Sequence, residues 1–358
     1  MERARELILQ YGWNSTAYQI INPGITHWFA ARGDALVGYV RYAGVRVVAG
    51  APVAALERLS EVTAEFEADA ARARDRVCYF GAEERFEEVG RQNPARSIVT
   101  LGAQPVWHPA ALAARIRLRV SLRAQVNRAR NKKVLVAAWA AERASDSAEL
   151  RRVLVAWLET RGLPPMRFLV EPQTLAQLED RRIFVAEQGG KVVGFLVASP
   201  IPARAGWLVE QIIRAPSAPN GVAELLLNAA AETLAAAGSQ YVTLGLAPLS
   251  KRARLPETPA PWWLGAVLVW VRAHGRRFYN FDGLDAFKAK FQPEEWTPVF
   301  AVSNQPRFTP RMLYAIASAF SGGSAATAII RAGGRAVRQE LRQLRAGAAP
   351  GPANRNAG

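Results

Sequence analysis

The sequence predicts an α/β (α+β) fold laid out twice along the chain, and three observations carry that reading. Short apolar segments rich in β-branched residues alternate with longer ones whose apolar residues recur every three or four positions, which is the signature of strands alternating with amphipathic helices. Two pairs of strand segments are joined by tight glycine-containing turns, Ala43-Gly44 and Gly189-Gly190. The order hairpin, helix and further strands occurs in both parts of the chain, so one plan is used twice.

Residues 7–30 open with Tyr-Gly-Trp-Asn-Ser-Thr and a Pro23-Gly24 turn, and give little regular pattern. Strands are expected at 35–42 and 45–49, stopped by Gly50-Ala51-Pro52. From 52 to 75, Leu56, Leu59, Val62, Phe66 and Ala70 line one helical face with Glu and Arg between them. Strands follow at 77–81 and 98–107. A single helix is expected over 109–131, with Leu118, Leu122, Gln125 and Ala129 on a packing face and Arg119, Arg123, Asn127 and Arg130 on another. Residues 134–140 read as a strand. Asp146-Ser-Ala-Glu149 forms a capping box for a helix to Thr160, which Gly162-Leu-Pro-Pro165 ends. Strands at 183–188 and 191–199 flank Gly189-Gly190, a strand at 207–213 leads to a helix at 222–237, and another strand starts at Tyr241. The division expected is 1–108 for the first half, 109–133 for a basic linking helix, 134–305 for the second half and 306–358 for a basic tail.

Half the residues are hydrophobic and 21% charged, which suits a chain with a sizeable core. The formal net charge is +16, more than solubility requires, and it points to a polyanionic partner such as nucleic acid or an anionic membrane. Its placement matters. No acid lies between Glu88 and Glu142, while Arg115, Arg117, Arg119, Arg123, Arg128, Arg130, Lys132 and Lys133 all do. A solvated helix normally mixes acids among its bases, so this one reads as a phosphate-tracking face. Cys78 is the only cysteine, which excludes an internal disulfide. The acids among the first residues argue against an export signal. The longest apolar run, Pro261 to Val271, is well short of the roughly 20 residues that span a bilayer. A lone cysteine and the absence of an export pattern suit the cytoplasm. In the tail, Arg311, Arg331, Arg335, Arg338, Arg342, Arg345 and Arg355 stand against Glu340, and 325–345 reads as an Arg-rich helix for an interface or nucleic acid.

The chain pivots at Arg214, where the strand 207–213 ends at a cation, turns through Pro216 and Pro219, and opens a helix at Asn220-Gly221. Unpaired N–H groups, the positive end of the helix dipole and Arg214 together make an anion seat there. Acyltransferases of the GNAT type hold the coenzyme A pyrophosphate at such a corner with a glycine-rich Arg/Gln-x-x-Gly-x-Gly/Ala loop, which this sequence lacks. Three blocks follow in order: Ala218-Pro219-Asn220-Gly221 with Glu224; Leu244-Gly-Leu-Ala-Pro-Leu-Ser250; and Tyr279-Asn-Phe-Asp-Gly-Leu-Asp-Ala-Phe-Lys-Ala-Lys-Phe-Gln-Pro-Glu-Glu-Trp296. Together they resemble the C-terminal synthase domain of the phosphatidylglycerol lysyltransferases, or aminoacyl-phosphatidylglycerol synthases. Residues 121–131 also resemble the family's segment between its two halves.

That resemblance implies tandem GNAT-like acyltransferase domains with a cleft or tunnel between them. It also implies transfer of an amino acid from aminoacyl-tRNA, a co-substrate, to a hydroxyl of a phosphatidylglycerol-type lipid at an anionic membrane surface. No metal or other cofactor is then needed. His27, His108 and His274 are scattered, and no Gly-x-Ser-x-Gly or Gly-Lys-Ser/Thr loop is present, so a protein nucleophile is unsupported. An aminoacyl ester is already reactive and needs alignment and oxyanion stabilisation. The catalytic candidates are Arg214, Glu224 and Lys288. Gln211, Asn220, Gly221, Lys290 and Tyr279 are substrate-binding candidates, and Arg115, Arg119, Arg123, Arg128, Arg130 and Lys132 are tRNA-binding candidates. Glu224 is expected to bind the α-amino group or act as base, and Lys288 and Lys290 to meet the tRNA end or a lipid phosphate. Tyr279 and Asn280 brace the fold with Trp296. The family often has an acid where Gln211 stands and a base where Asp282 stands, which puts a lysyl donor in doubt. Two other readings stay open. Binding of acyl-coenzyme A with no effect of tRNA would choose an N-acyltransferase. Function surviving alanine at Arg214 and Glu224 would choose a non-catalytic RNA or membrane binder.

Overall fold

In the computed structural model the described residues are 1–160, 167–170, 175, 177–253 and 281–323. Twelve strands form one sheet that runs across both parts of the chain. The first part contributes β1 (Thr26–Phe29), β2 (Leu36–Tyr42), β3 (Val45–Ala49), β4 (Arg76–Ala82) and β5 (Ser97–Trp107). The second contributes β6 (Val134–Trp139), β7 (Arg182–Gln188), β8 (Lys191–Ile201), β9 (Gly206–Arg214), β10 (Tyr241–Thr243), β11 (Ala247–Pro248) and β12 (Glu295–Ser303). Their order is β1-β2-β3-β4-β12-β5-β10-β9-β8-β7-β6, with β11 paired separately to β5.

The repeated plan is visible in the pairing. β1, β2 and β3 are antiparallel, and helix α2 (Leu59–Arg72) carries the chain to β4, parallel to β3. β7, β8 and β9 are likewise antiparallel, and a second helix carries the chain to β10, parallel to β9. A parallel neighbour requires such a crossover, whereas hairpins need only a turn. Ala43 and Gly44 have φ of 50° and 67°, and Gly189 and Gly190 of 57° and 74°, the left-handed pair that matches strand twist. These are the tandem acyltransferase-like halves expected from the sequence. The repeat is joined at its centre by β12, which pairs with β4 on one side and β5 on the other. The last strand of the second stretch is thus built into the sheet of the first.

Helices cover both faces. On α2, Leu59, Val62, Phe66 and Ala70 are buried, as their spacing requires, and each large side chain so removed from water contributes about 2 kcal/mol, whereas Leu56, expected on the same face, lies in a 3-10 turn ahead of the helix and is exposed. Residues 7–30 hold more regular structure than their pattern suggests. Helix α1 (Glu2–Tyr11) buries Ala4, Leu7 and Ile8, and a 3-10 turn at Ala17–Ile21 is buried throughout. Helix α3 (Glu84–Arg91) packs on β12 and β5.

The single helix expected over 109–131 is two: α4 (Pro109–Leu118) and α5 (Val120–Asn131), with Arg119 in extended conformation between them. Its apolar spacing explains the break. Leu112 and Ile116 are buried on α4, and Leu122, Val126 and Ala129 on α5, but Leu122 comes six positions after Ile116, so one straight helix cannot turn both inward. Leu118, expected to pack, is instead 70% exposed. Short helix α6 (Ala141–Asp146) precedes α7 (Ala148–Glu159). The α7 cap is Ser147, which accepts from Leu150 N–H, in place of the expected capping box, and Glu149 accepts from Val192 N–H. Beyond β12, α10 (Pro310–Ser321) buries Met312, Ala315, Ile316 and Ala319 against β2 and β3, so the start of the tail belongs to the core. The Arg-rich helix expected at 325–345 and the apolar run Pro261–Val271 lie outside the described residues.

Candidate active site

β9 pairs with β10 only from Gly206 to Leu208. Beyond that point the two strands part, and the gap opens into a cavity of about 860 Å³ lined by both halves of the chain. Helix α8 (Val222–Ala236) starts at its edge with no side-chain cap; the Val222 N–H turns back on the Pro219 carbonyl at 3.4 Å, and the following first-turn N–H groups are left for another acceptor. Gly221 ends the turn at φ 94°, and a Cβ there would lie 2.0 Å from the Gln125 carbonyl oxygen of α5. Only glycine lets the basic helix press this closely on the corner. Gln211, Arg214, Asn220, Gly221 and Glu224 all line the cavity, as the sequence analysis places them. Arg214 and Asn220 are exposed, and the Arg214 side chain makes no hydrogen bond or ion pair among the described residues.

Helix α9 (Phe281–Ala289) brings the third block to the same cavity. Lys290 Nζ donates to Glu224 Oε1 at 2.5 Å and lies 4.0 Å from the Phe287 ring centre. Lys288 departs from expectation. It is a buried amine, with Nζ donating to the Gly245 carbonyl at 2.7 Å and the Leu246 carbonyl at 2.8 Å. Burial lowers its pKa to about 7, opposed in part by Asp285. Two N–H groups are spent on carbonyls, which leaves a third proton or a lone pair for the cavity it lines. Such a group exchanges protons near neutral pH. Lys288 and Lys290 are expected alike to meet the tRNA end or a lipid phosphate, but the helix turns Lys288 inward. Tyr279 lies outside the described residues.

Arg123, Asn127 and Arg130 are exposed along one face of α5, as their spacing predicts, and Lys132 is exposed just beyond it. Arg128 lies off that face and lines the cavity beside Gln125, and Arg115 is half-buried. Arg119, at the break, donates to the Lys290 carbonyl at 3.0 Å and so ties the linking helices to the third block.

Sequence reasoning missed Glu210. Val197 faces Gln211 and Ala198 faces Val209, so Glu210 is the extra residue of a β-bulge, re-aimed toward the cavity wall. Arg181, whose side chain is fully buried, donates to it at 2.8 Å, with Ser199 Oγ at 2.7 Å and Gln19 Nε2 at 3.0 Å. Burial alone would raise the Glu210 carboxyl; Arg181 and the other donors outweigh it and hold the pKa below the usual value. No motif signals this pairing, because the partners come from three separate segments.

The cavity wall is mixed: Arg128, Arg214, Asn220 and the Glu224–Lys290 pair contribute polar and cationic groups, while Phe80, Trp157, Leu158, Leu169, Val170 and Phe320 contribute apolar ones. Among the described residues no helix is long and apolar enough to cross a membrane.

Comparison with known proteins bears on this geometry. A family model described as phosphatidylglycerol lysyltransferase, C-terminal, matches residues 5–303. Among solved structures, the C-terminal domain of a putative lysylphosphatidylglycerol synthetase from Agrobacterium fabrum is similar at a TM-score of 0.75 and 22% identity, over 90% of this chain and 97% of that one. L-PGS from Bacillus licheniformis is similar at 0.72 and 20%, over 92% and 95%. A conserved protein of unknown function from Bacteroides thetaiotaomicron follows at 0.60 and 14%, over 84% and 96%. These likenesses establish the fold. No curated protein matches. With the family match spanning both halves, the cavity and all three sequence blocks, the chain belongs to the phosphatidylglycerol lysyltransferase C-terminal family, whose members are transferases that modify phosphatidylglycerol.

Proposed function

We propose that this chain transfers an amino acid from aminoacyl-tRNA to a hydroxyl of a phosphatidylglycerol-type lipid at the inner face of the cytoplasmic membrane. The observation that carries the reading is one cavity whose wall holds both cationic side chains, Arg128, Arg214 and Lys290, which suit a nucleic-acid terminus, and apolar ones, Trp157, Leu169, Val170 and Phe320, which suit a lipid. The charged tRNA end enters beside Arg128, with Arg115, Arg119, Arg123, Arg130 and Lys132 supplying charge around it. Arg214, Asn220 and the amides of the Gly221 corner hold the phosphate or the reacting carbonyl oxygen. Gln211 borders the aminoacyl group. Glu224, steadied by Lys290, accepts a hydrogen bond from its α-amino group. The lipid enters along Trp157, Val170 and Phe320.

Chemistry then needs one proton acceptor. Lys288, with its N–H groups on two carbonyls and its pKa near neutrality, takes the proton of the lipid hydroxyl as that oxygen attacks the ester carbonyl. The ester bond to the tRNA ribose breaks, and the proton returns to the departing ribose oxygen. Exchange of an anionic head group for a neutral or cationic one weakens the membrane's attraction for cationic peptides.

The test supplies purified protein with charged tRNAs and phosphatidylglycerol vesicles. The expected result is an aminoacylated lipid whose formation ribonuclease abolishes. Acyl transfer from coenzyme A thioesters, unaffected by tRNA, would replace this reading with an N-acyltransferase.

A further inference from the structure

The charges of the cavity wall restrict what enters it. Among the described lining residues the acids are Glu210 and Glu224, and both are already matched: Glu210 by the buried Arg181, Glu224 by Lys290. The wall also carries Arg128 and Arg214, whose charges no described acid pairs. The Gln125 oxygen that Arg128 reaches at 3.4 Å is neutral. Gln211 adds no charge. Among the described residues the wall is therefore net positive, and each carboxylate on it has its cation.

We propose that the donor aminoacyl group is one whose side chain carries no positive charge, and that Arg181 and Lys290 set this selectivity by neutralising the two acids that would otherwise receive a cationic side chain. This deepens the transfer reading and rests on it. The two amines of a lysyl donor fare differently in such a wall. An α-amino group, with an ordinary pKa of about 8, sheds its proton at little cost near pH 7.4, whereas a lysine side chain of about 10.4 is charged roughly a thousand times more often than not. Arginine cannot shed its proton at all. Desolvating such a cation with no free carboxylate to meet it is unfavourable, and Lys288 shows the effect on an amine already in the wall.

The experiment measures kcat/KM for transfer from lysyl-, arginyl- and a panel of uncharged aminoacyl-tRNAs to phosphatidylglycerol vesicles. Expected is a preference of about a hundredfold or more for at least one uncharged donor over lysyl and arginyl. Lysyl or arginyl transfer as efficient as the best uncharged donor overturns the inference while leaving the transfer reading intact. No product from any charged tRNA overturns both. Arg181→Met and, at the more exposed pair, Lys290→Met each unmask one acid. Each is expected to raise the lysyl-to-uncharged ratio by about tenfold, with folding checked by thermal melting. The Lys290→Met protein decides the matter if Arg181→Met does not fold: a ratio that stays at the wild-type value overturns the assignment.

Discussion

The two halves reach the same point in their plan and treat it in opposite ways. In the first, β3 and β4 pair along five residues, from Val45–Arg76 to Ala49–Phe80, and β12 covers the other side of β4. The corner after β3 is sealed: Gly50 N–H donates to the Phe80 carbonyl, a Cβ on Gly50 would lie 2.4 Å from Thr16 Oγ1, and Val53 pairs back to Leu36. In the second, β9 and β10 pair along three residues and then separate, with an exposed arginine and an uncapped helix start at the opening. A shared topology thus yields a scaffold where the parallel pair zips fully and a site where it stops early. Charge follows the same division. The first half spends Arg46 on Asp69 and Asp75, all within the fold, while the second leaves Arg214 facing the cavity.

Substitutions on the two sides should therefore break different properties. The largest effect is expected from Lys288→Met, which removes the proton acceptor and should lower kcat by about a thousandfold. In the wild type, kcat should rise with pH through about 7 as Lys288 loses its proton. Stability carries a second signature. Because the folded-state pKa lies below the unfolded value of about 10.4, the unfolded chain binds the extra proton between the two. Wild-type stability should then climb by roughly a few kcal/mol from pH 7 toward pH 10, and denaturant titrations of Lys288→Met should lack that climb. Next comes Arg46→Met in the scaffold half, expected to cost about 3 kcal/mol in unfolding free energy by removing a buried cation shared by Asp69 and Asp75, which keep only Arg72 and Arg41 as ion-pair partners among the described residues, with kcat unchanged. A matched glycine pair sharpens the contrast. Gly33→Ala meets open space at φ 68° and should cost about 1 kcal/mol, whereas Gly221→Ala adds a clash with the α5 backbone and should cost more than about 2 kcal/mol in thermal melts. The smallest effect is expected from Arg214→Gln, about a tenfold rise in KM for charged tRNA with no change in melting temperature, since the side chain is exposed.

Much of this was legible because local chemistry determined it. Gly189-Gly190 specified its turn, the Leu59–Val62–Phe66–Ala70 spacing specified a buried helix face, and Pro219-Asn220-Gly221 marked the corner that lines the cavity. What escaped depended on distant partners. The break at Arg119 appears only once Ile116 and Leu122 must both face the same core. Lys288 looked like its neighbour Lys290, and only the Gly245 and Leu246 carbonyls distinguish them. Glu210 was passed over for Gln211 because a bulge is set by strand register, and its mate Arg181 sits 29 residues away.

The strand β12 carries a consequence for how this chain assembles. Its residues pair with β4 and β5 across about two hundred positions of sequence or more, so on a ribosome the N-terminal part emerges long before the strand that fills its middle. Until Glu295–Ser303 arrives, β4 and β5 each present an unpaired edge, and the early half must wait, open-centred, for the late one. Maturation of the scaffold and completion of the cavity are therefore a single event.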